Sequence, residues 1–432
     1  MSMLREKIAS RTARVGIIGL GYVGLPLAVA FAKAGFPVTG IDIDGNKVTQ
    51  INAGKSYIQD VSSHELHTLR EQGKLQATSD FTVLQELDTV SICVPTPLSK
   101  TKDPDISFIA SVTSKIAEHL HAEQLIVLES TTYPGTTEEF ILPELTAKGL
   151  QVGVDFYLAF SPERLDPGNP HYTAQNIPKI IGGITPACTA MAQALYSQAM
   201  QKVIPVSSAK TAEMVKLLEN TFRAVNIALV NEIAIMCDRL EIDVWEVIEA
   251  AATKPFGFMP FYPGPGWGGH CIPVDPFYLS WKLKTLNYKA RFIELAAEVN
   301  THMPLYVVTK LADILNEHQK SIKGSKILML GVTYKRDVSD VRESPALDIL
   351  RILQQKGANL SFYDPYVQRL EEASAHWVPL TEQTLAGADC VVIVTDHQQV
   401  DYKFVVEHAP LILDTRNATK EVRTGREKIR LL

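Results

Sequence analysis

One cysteine stands in a setting suited to chemistry, the segment Pro263-Gly264-Pro265-Gly266-Trp267-Gly268-Gly269-His270-Cys271-Ile272-Pro273-Val274-Asp275-Pro276. So many glycines and prolines around a single thiol make a tight, ordered loop that sets a small side chain beside a ligand. A lone cysteine is more often inert core than nucleophile; the loop is what moves Cys271 towards nucleophilic work. Zinc binding does not compete, because His270 and Cys271 have no partner pair at metal-ligand spacing, and no metal is expected. A second set is Lys216, Asn220 and Arg223, at i, i+4 and i+7 in a stretch with few breakers, residues 209–240. One face of a long helix presents all three, either to a ligand or as a solvated polar face. A third is Gly19-Leu20-Gly21-Tyr22-Val23-Gly24, a G-x-G-x-x-G turn followed by Asp42.

These groups need a frame, and the surrounding apolar runs supply one. Residues 14–19 read as a strand ending in the glycines, 22–34 as a helix of small and apolar residues, and 38–42 as a second strand. Further runs at 89–94, 124–128 and 156–160 alternate with helical stretches, as in a doubly wound, mostly parallel sheet. After the cysteine loop, helical sequence resumes to about Lys320. A second strand-helix-strand pattern follows at 326–331, 344–356 and 360–364, with strands at 390–395 and 411–414. The fold class is therefore α/β, with two Rossmann-like doubly wound domains joined by a long central helix and a helical segment. The expected division is 1–205, 206–318 and 319–432.

In that frame the glycine turn lies between strand and helix, where it lets a backbone approach a pyrophosphate at the positive helix end. Asp42, ending the next strand, can accept hydrogen bonds from an adenosine ribose. A carboxylate there repels a 2′-phosphate, which favours NAD over NADP. Two Tyr-x-x-x-Lys spacings, Tyr278 with Lys282 and Tyr306 with Lys310, lie far beyond the first nucleotide fold and read as chance helix-surface spacings.

Bulk properties narrow the class. A chain of 432 residues exceeds what one core usually holds, so two or three domains are expected. A formal net charge of −6 and the absence of any polybasic run argue against nucleic-acid binding. The one apolar stretch long enough to suggest a membrane or signal segment, 15–32, is interrupted by Gly19, Gly21, Gly24 and Pro26. Five cysteines, odd in number and widely spaced, fit a reducing compartment and a cytoplasmic protein.

With these motifs in order, the chain resembles the UDP-glucose and UDP-N-acetylhexosamine 6-dehydrogenases over essentially its whole length. The resemblance rests on the Gly19–Gly24 turn, Val94-Pro95-Thr96-Pro97, Ser130-Thr131, Ser161-Pro162-Glu163-Arg164-Leu165, Lys216 to Asn220, and the segment from Gly268 to Asp275. It continues through Gly331-Val332-Thr333-Tyr334-Lys335 and Asp340-Val341-Arg342-Glu343-Ser344-Pro345. Enzymes for UDP-glucose usually carry a lysine where this chain has Val274, so the loop looks like the N-acetylhexosamine branch. Lys254-Pro255-Phe256-Gly257-Phe258 and the segment from Asp275 to Lys282 look most like bacterial UDP-N-acetylglucosamine 6-dehydrogenases of surface-polysaccharide pathways. UDP-N-acetylmannosamine is the closest competitor.

The resemblance implies an NAD-dependent enzyme that takes the sugar C6 alcohol to the carboxylate. Lys216, with Asp275 and a water, assists deprotonation of the C6 hydroxyl, and Cys271 captures the aldehyde as a thiohemiacetal that becomes a thioester. Glu163 activates the hydrolytic water, while Lys216 and Asn220 hold the oxyanion. Tyr22, Val23, Asp42, Lys47, Thr96, Thr131 and Arg342 match cofactor positions. Arg164, Leu165, Arg223, Tyr262, Gly268, Tyr334, Lys335 and Arg416 match positions for the UDP-sugar, where cations suit the diphosphate. A homodimer through the long helix, or a higher homo-oligomer, is implied, without nucleic-acid or membrane partners. Two other classes stay open: a non-catalytic nucleotide-sugar sensor, and a two-electron enzyme of the hydroxyacid or 6-phosphogluconate type.

Overall fold

Short runs of aliphatic residues bounded by turns form the strands of the first unit: β1 (Val15–Ile18), β2 (Val38–Ile41), β3 (Leu75–Thr78), β4 (Thr89–Ile92), β5 (Leu125–Leu128), β6 (Tyr157–Phe160), β7 (Lys179–Gly183) and β8 (Val203–Pro205). They make one sheet in the order β3-β2-β1-β4-β5-β6-β7-β8. Neighbours are parallel except β6 with β7. β1, β2, β4, β5 and β6 are buried along their whole length, as strands covered by helices on both faces must be. The first six follow the order of a dinucleotide-binding sheet, whose ligand crevice opens where the order reverses, between β1 and β4. Phe31, on the helix Gly24–Lys33 that follows the glycine turn, packs edge-on against Phe36 and Tyr196, with ring centroids 6.0 and 5.3 Å apart. Each such pair adds about 0.5–1.5 kcal/mol beyond area burial, and together they fix that helix under the sheet.

The second unit repeats the plan. β9 (Lys326–Leu330), β10 (Asn359–Tyr363), β11 (His376–Trp377), β12 (Cys390–Ile393), β13 (Ile412–Asp414) and β14 (Ile429–Leu431) pair in the order β11-β10-β9-β12-β13-β14, all parallel. That is the order of the first six strands of the other sheet. In this computed structural model the described residues are 2–432 apart from Gln59, 100–102, Pro167, Gly168, Pro170, His270 and 372–374. One unit comprises the chain up to Glu219 with Phe277–Tyr288, the other Asn220–Pro276 with Lys289–Leu432. The helix Ala209–Arg239, 31 residues and about 46 Å long at 1.5 Å per residue, joins them, and the division falls inside it.

The α/β class and both doubly wound sheets are as the sequence indicates. The strands it did not reveal are β3, β7, β8, β11 and β14, of two to five residues each. Sequences such as LQAT and HW are too short or too polar to stand out as apolar runs. Among the described residues no helix is long and apolar enough to cross a membrane.

Candidate active site

The glycine turn separates two demands on a glycine. Gly19 leaves β1 with φ +89°, and a Cβ there would stand 2.7 Å from the Cys93 carbonyl oxygen. At Gly24 a Cβ would overlap the Gly19 carbonyl oxygen, so the helix can begin this close to the strand only on a glycine. Gly21 has no atom within 4 Å of its Cβ position and no positive φ. Nothing among the described residues requires a glycine there, whereas a ligand that approached the backbone would. The helix also starts without a side-chain cap or an acidic residue in its first turn, leaving its positive end to an anion. Asp42 follows β2, buried, and its carboxylate accepts from the backbone N–H groups of Leu20 (2.8 Å) and Asp44 (2.9 Å) and from Lys47 Nζ (3.2 Å). These residues fit the dinucleotide, with Asp42 tying the turn to β2.

A second cluster in the same unit surrounds Glu163, which lies just beyond β6. Lys216, 4% exposed, donates to the Glu163 carbonyl oxygen (2.6 Å) and stands 3.4 Å from its carboxylate. The carboxylate also accepts from the Leu165 N–H. Arg164 grips both oxygens of Glu219 (3.2 and 2.6 Å) and the Pro178 carbonyl (2.5 Å). Behind them Lys179 pairs with Glu129 at 2.5 Å, and Glu129, Glu163, Arg164, Leu165 and Lys179 share the lining of one cavity with Val23.

In the second unit the cysteine loop is held by close approaches that only glycines permit. A Cβ on Gly268 would stand 2.7 Å from Tyr334 Cβ, one on Gly269 (φ +83°) 2.8 Å from the Tyr334 ring, and one on Gly264 would overlap the Arg416 guanidinium. Gly264 N–H donates to Asn231 (2.9 Å), which donates to Asn300 (2.8 Å), while Gly269 N–H donates to the Arg342 carbonyl (3.2 Å). The Cys271 carbonyl accepts from Val274 (3.1 Å) and Asp275 (2.8 Å), closing the turn into the helix Asp275–Lys284. Asp275, 3% exposed, accepts from Asn220, which in turn accepts from Arg223. Of the five thiols only Cys271 escapes full burial. Burial pushes the Cys93 thiol well up and Cys390 to about 12, so neither supplies a thiolate.

The chain resembles known proteins over nearly its whole length. The NAD binding, central and UDP binding domains of the UDP-glucose/GDP-mannose dehydrogenase family match residues 13–200, 210–302 and 328–421. The chain belongs to that family. It is an NAD-dependent UDP-sugar 6-dehydrogenase, and the sensor alternative falls away. It is 37% identical over 421 residues to a UDP-N-acetyl-D-mannosamine dehydrogenase of Pyrococcus horikoshii, covering 95% of this chain and 97% of that one. To a UDP-N-acetyl-D-glucosamine 6-dehydrogenase of Pseudomonas aeruginosa it is 34% identical over 389 residues, 89% of this chain and 91% of the other. The solved UDP-D-ManNAc dehydrogenase from Pyrococcus horikoshii superposes with a TM-score of 0.88 at 35% identity, over 97% of this chain and 98% of that one.

Against the residues expected for this family of enzymes, the first unit brings Lys216 to Glu163 and Lys47 to Asp42. The second brings Asn220 to Asp275, Arg223 to Asn220, and Gly268 to Tyr334. Lys216 and Asn220 are buried, which excludes the solvated-face reading for both, whereas Arg223 is exposed. Arg342 is paired with Asp340 through two nitrogens, and Tyr262, half exposed, stacks near Trp245 at 6.1 Å. Tyr22 is exposed; Val23, Thr96, Thr131, Leu165, Lys335 and Arg416 are half-buried. His270 lies outside the described residues. Sequence reasoning missed Glu129, Lys179, Glu219 and Asn231, whose partners lie far away in the chain. It also misread Tyr278 as a surface residue: the side chain is fully buried and its hydroxyl donates to the Thr96 carbonyl at 2.9 Å. Tyr306 and Lys310 converge on Asp238, a structural ion pair.

Proposed function

We propose that the protein oxidises C6 of UDP-N-acetyl-D-glucosamine to the carboxylate, with Cys271 carrying the intermediate covalently. The carrying observation is the thiol itself: it alone among the five is accessible, in a loop that glycines hold against Tyr334 and Arg416. Asp275 and Lys216 assist removal of the C6 hydroxyl proton as the first hydride leaves C6, which gives the aldehyde. The Cys271 thiolate then adds to the aldehyde carbon, forming a C–S bond and a thiohemiacetal; loss of the second hydride leaves a thioester. Water activated by Glu163 attacks it, a C–O bond forms, the C–S bond breaks and the thiolate returns. Lys216 and Asn220 supply the donors for the oxyanion. NAD, held by Gly19, Gly21, Tyr22, Val23, Gly24, Asp42, Lys47, Thr96, Thr131 and Arg342, supplies the hydride acceptor. Arg164, Leu165, Arg223, Tyr262, Gly268, Tyr334, Lys335 and Arg416 serve the UDP-sugar.

Val274 supports an N-acetylated sugar, since no charge stands in the turn between Cys271 and Asp275 where UDP-glucose enzymes carry a lysine. UDP-N-acetyl-D-mannosamine is the second reading, favoured by the relative from Pyrococcus horikoshii. The protein is proposed to pair through its long helix, on which Met214, Leu218, Phe222, Leu229 and Met236 are exposed at spacings of four and seven. Its five cysteines, none of them in a disulfide, suit the reducing cytoplasm.

A panel of UDP-GlcNAc, UDP-ManNAc, UDP-GalNAc and UDP-glucose read by NADH release identifies the sugar, and two NADH per sugar identify the acid. Cys271→Ser is expected to keep NAD binding and lose acid formation. Unchanged uronate production by that variant overturns the covalent route.

A further inference from the structure

Glu163 sits in a segment that belongs to neither helix nor strand, so no ladder of backbone hydrogen bonds fixes it. Its two flanking carbonyls are instead gripped by ammonium groups from different elements. Lys216, on the long helix, takes the carbonyl of Glu163 itself at 2.6 Å. Lys179, the first residue of β7, takes the carbonyl of Pro162 at 3.2 Å. We propose that Lys179, held in place by Glu129, is a positioning residue that fixes the Pro162 peptide and so aims the Glu163 carboxylate. This deepens the reading in which Glu163 activates the hydrolytic water, and rests on it.

Lys179 is nine-tenths buried and Glu129 completely so. The ammonium donates to Glu129 Oε2 at 2.5 Å, and the other carboxylate oxygen accepts from the Tyr196 hydroxyl at 2.5 Å, itself 3.1 Å from Ser91 Oγ. A chain of buried polar groups thus runs from β4 through Tyr196 and Glu129 to Lys179 and ends on the peptide that carries Glu163. Burying two charges costs several kcal/mol of desolvation each, and an apolar pair of similar volume is often as stable. Stability alone therefore gives little reason for the pair, whereas placing a carboxylate does. The cavity lined by Glu129, Glu163 and Lys179 makes the geometry consequential: Arg164 anchors the segment beyond Glu163 to Glu219 and the Pro178 carbonyl, and the two ammonium grips set the peptides on either side of the Glu163 side chain. Burial pushes the Glu129 carboxyl up while Lys179 opposes it, so removing one partner alone would strand a charge.

The test is accordingly the double variant Lys179→Met/Glu129→Gln, which removes both charges and keeps an acceptor for Tyr196. Variants are mixed with NAD and the UDP-sugar that the panel identifies, and read by NADH burst, steady-state rate and intact protein mass. The double variant is expected to show a normal burst, a steady state slowed about ten- to a hundredfold, a KM lowered with it so that kcat/KM is unchanged, and acyl-enzyme accumulating on Cys271. Tyr196→Phe, isosteric and lacking one of the bonds to Glu129, is expected to slow the same step about two- to fivefold, and covers the case in which the double variant does not fold. Wild-type turnover, or slow turnover without acyl-enzyme, in these variants overturns the proposal, the second outcome marking a purely structural pair. Glu163→Gln is the reference: it must itself accumulate acyl-enzyme. If it does not, the role given to Glu163 falls; if it does while the double variant does not, only the positioning role falls.

Discussion

Alanine at Gly24 and at Gly21, three residues apart in one turn, should fail in opposite ways. At Gly24 the new Cβ overlaps the Gly19 carbonyl oxygen and stands 3.0 Å from its carbon and 3.2 Å from Cys93 Cβ. These are mostly backbone atoms that cannot rotate aside, so the helix start must shift. Overpacking of this kind costs about 2–3 kcal/mol, offset by about 0.5–1 kcal/mol from replacing glycine with alanine in a helix. The net of about 2 kcal/mol corresponds to a fall in Tm of roughly 4–8 °C in a domain of this size. At Gly21 the Cβ meets nothing within 4 Å, and the backbone has no positive φ. Gly21→Ala should leave the apo Tm unchanged or raise it by a degree or two, since alanine restricts the unfolded chain. A methyl between the backbone and a pyrophosphate should nevertheless weaken NAD at least about tenfold, or about 1.4 kcal/mol. Thermal melts with and without NAD, together with titration calorimetry, separate the two effects, because ligand stabilisation follows Kd. Wild-type NAD affinity in Gly21→Ala, or an unchanged apo Tm in Gly24→Ala, would refute this division of labour.

Leu229→Glu places a charge on the exposed apolar face of the long helix and should halve the mass seen by light scattering; an unchanged mass removes that face from the interface. Asp389 accepts from Lys320 and from the Lys326 N–H (2.7 Å), and these bonds hold its pKa below the ordinary carboxylate value. Its stabilisation is therefore present above the unfolded-state pKa and lost as pH falls through the folded-state one. Asp389→Asn should lower Tm at pH 7 and converge with wild type in acid, a comparison read by melts across that range.

What the sequence disclosed was what lies close together in it. The glycine turn with Asp42, the cysteine loop and the polar face of the long helix each lie within a few turns of chain, so spacing groups their residues, while the burial of Lys216 and Asn220 on that face comes from the fold. Lys179 and Glu129 stand fifty residues apart. Each reads by itself as an ordinary surface charge, and only the adjacency of β7 and β6 puts the lysine beside the Pro162 carbonyl. Tyr278 was hidden for a related reason: its spacing to Lys282 suggested a surface pair, while tertiary packing turns the tyrosine onto the Thr96 carbonyl. Arg223 shows the reverse error of periodicity, since it shares a face with Lys216 and Asn220 yet is exposed, beyond the turn that buries them.

The two sheets also explain why one fold serves two different nucleotides. Both first strands are followed by a glycine with positive φ, Gly19 (+89°) and Gly331 (+80°), and both second strands by an aspartate, Asp42 or Asp364, that accepts at 2.8 Å from the N–H of the residue after that glycine, Leu20 or Val332. From there they diverge. The position of Gly21, open to a ligand, is taken in the second unit by Thr333, 1% exposed, whose hydroxyl donates to the Lys335 carbonyl at 2.8 Å. Asp364 is fully buried; His397 donates from Nε2 to it at 3.0 Å, because the Asp337 N–H occupies Nδ1 at 2.9 Å. Where the first unit has a glycine with open space beside it, the second has Thr333 and His397, both buried. It sets Lys335 and Arg336 at the positions of Val23 and Gly24. The second turn thus carries charged side chains where the first carries bare backbone, with Arg336 paired to Asp396.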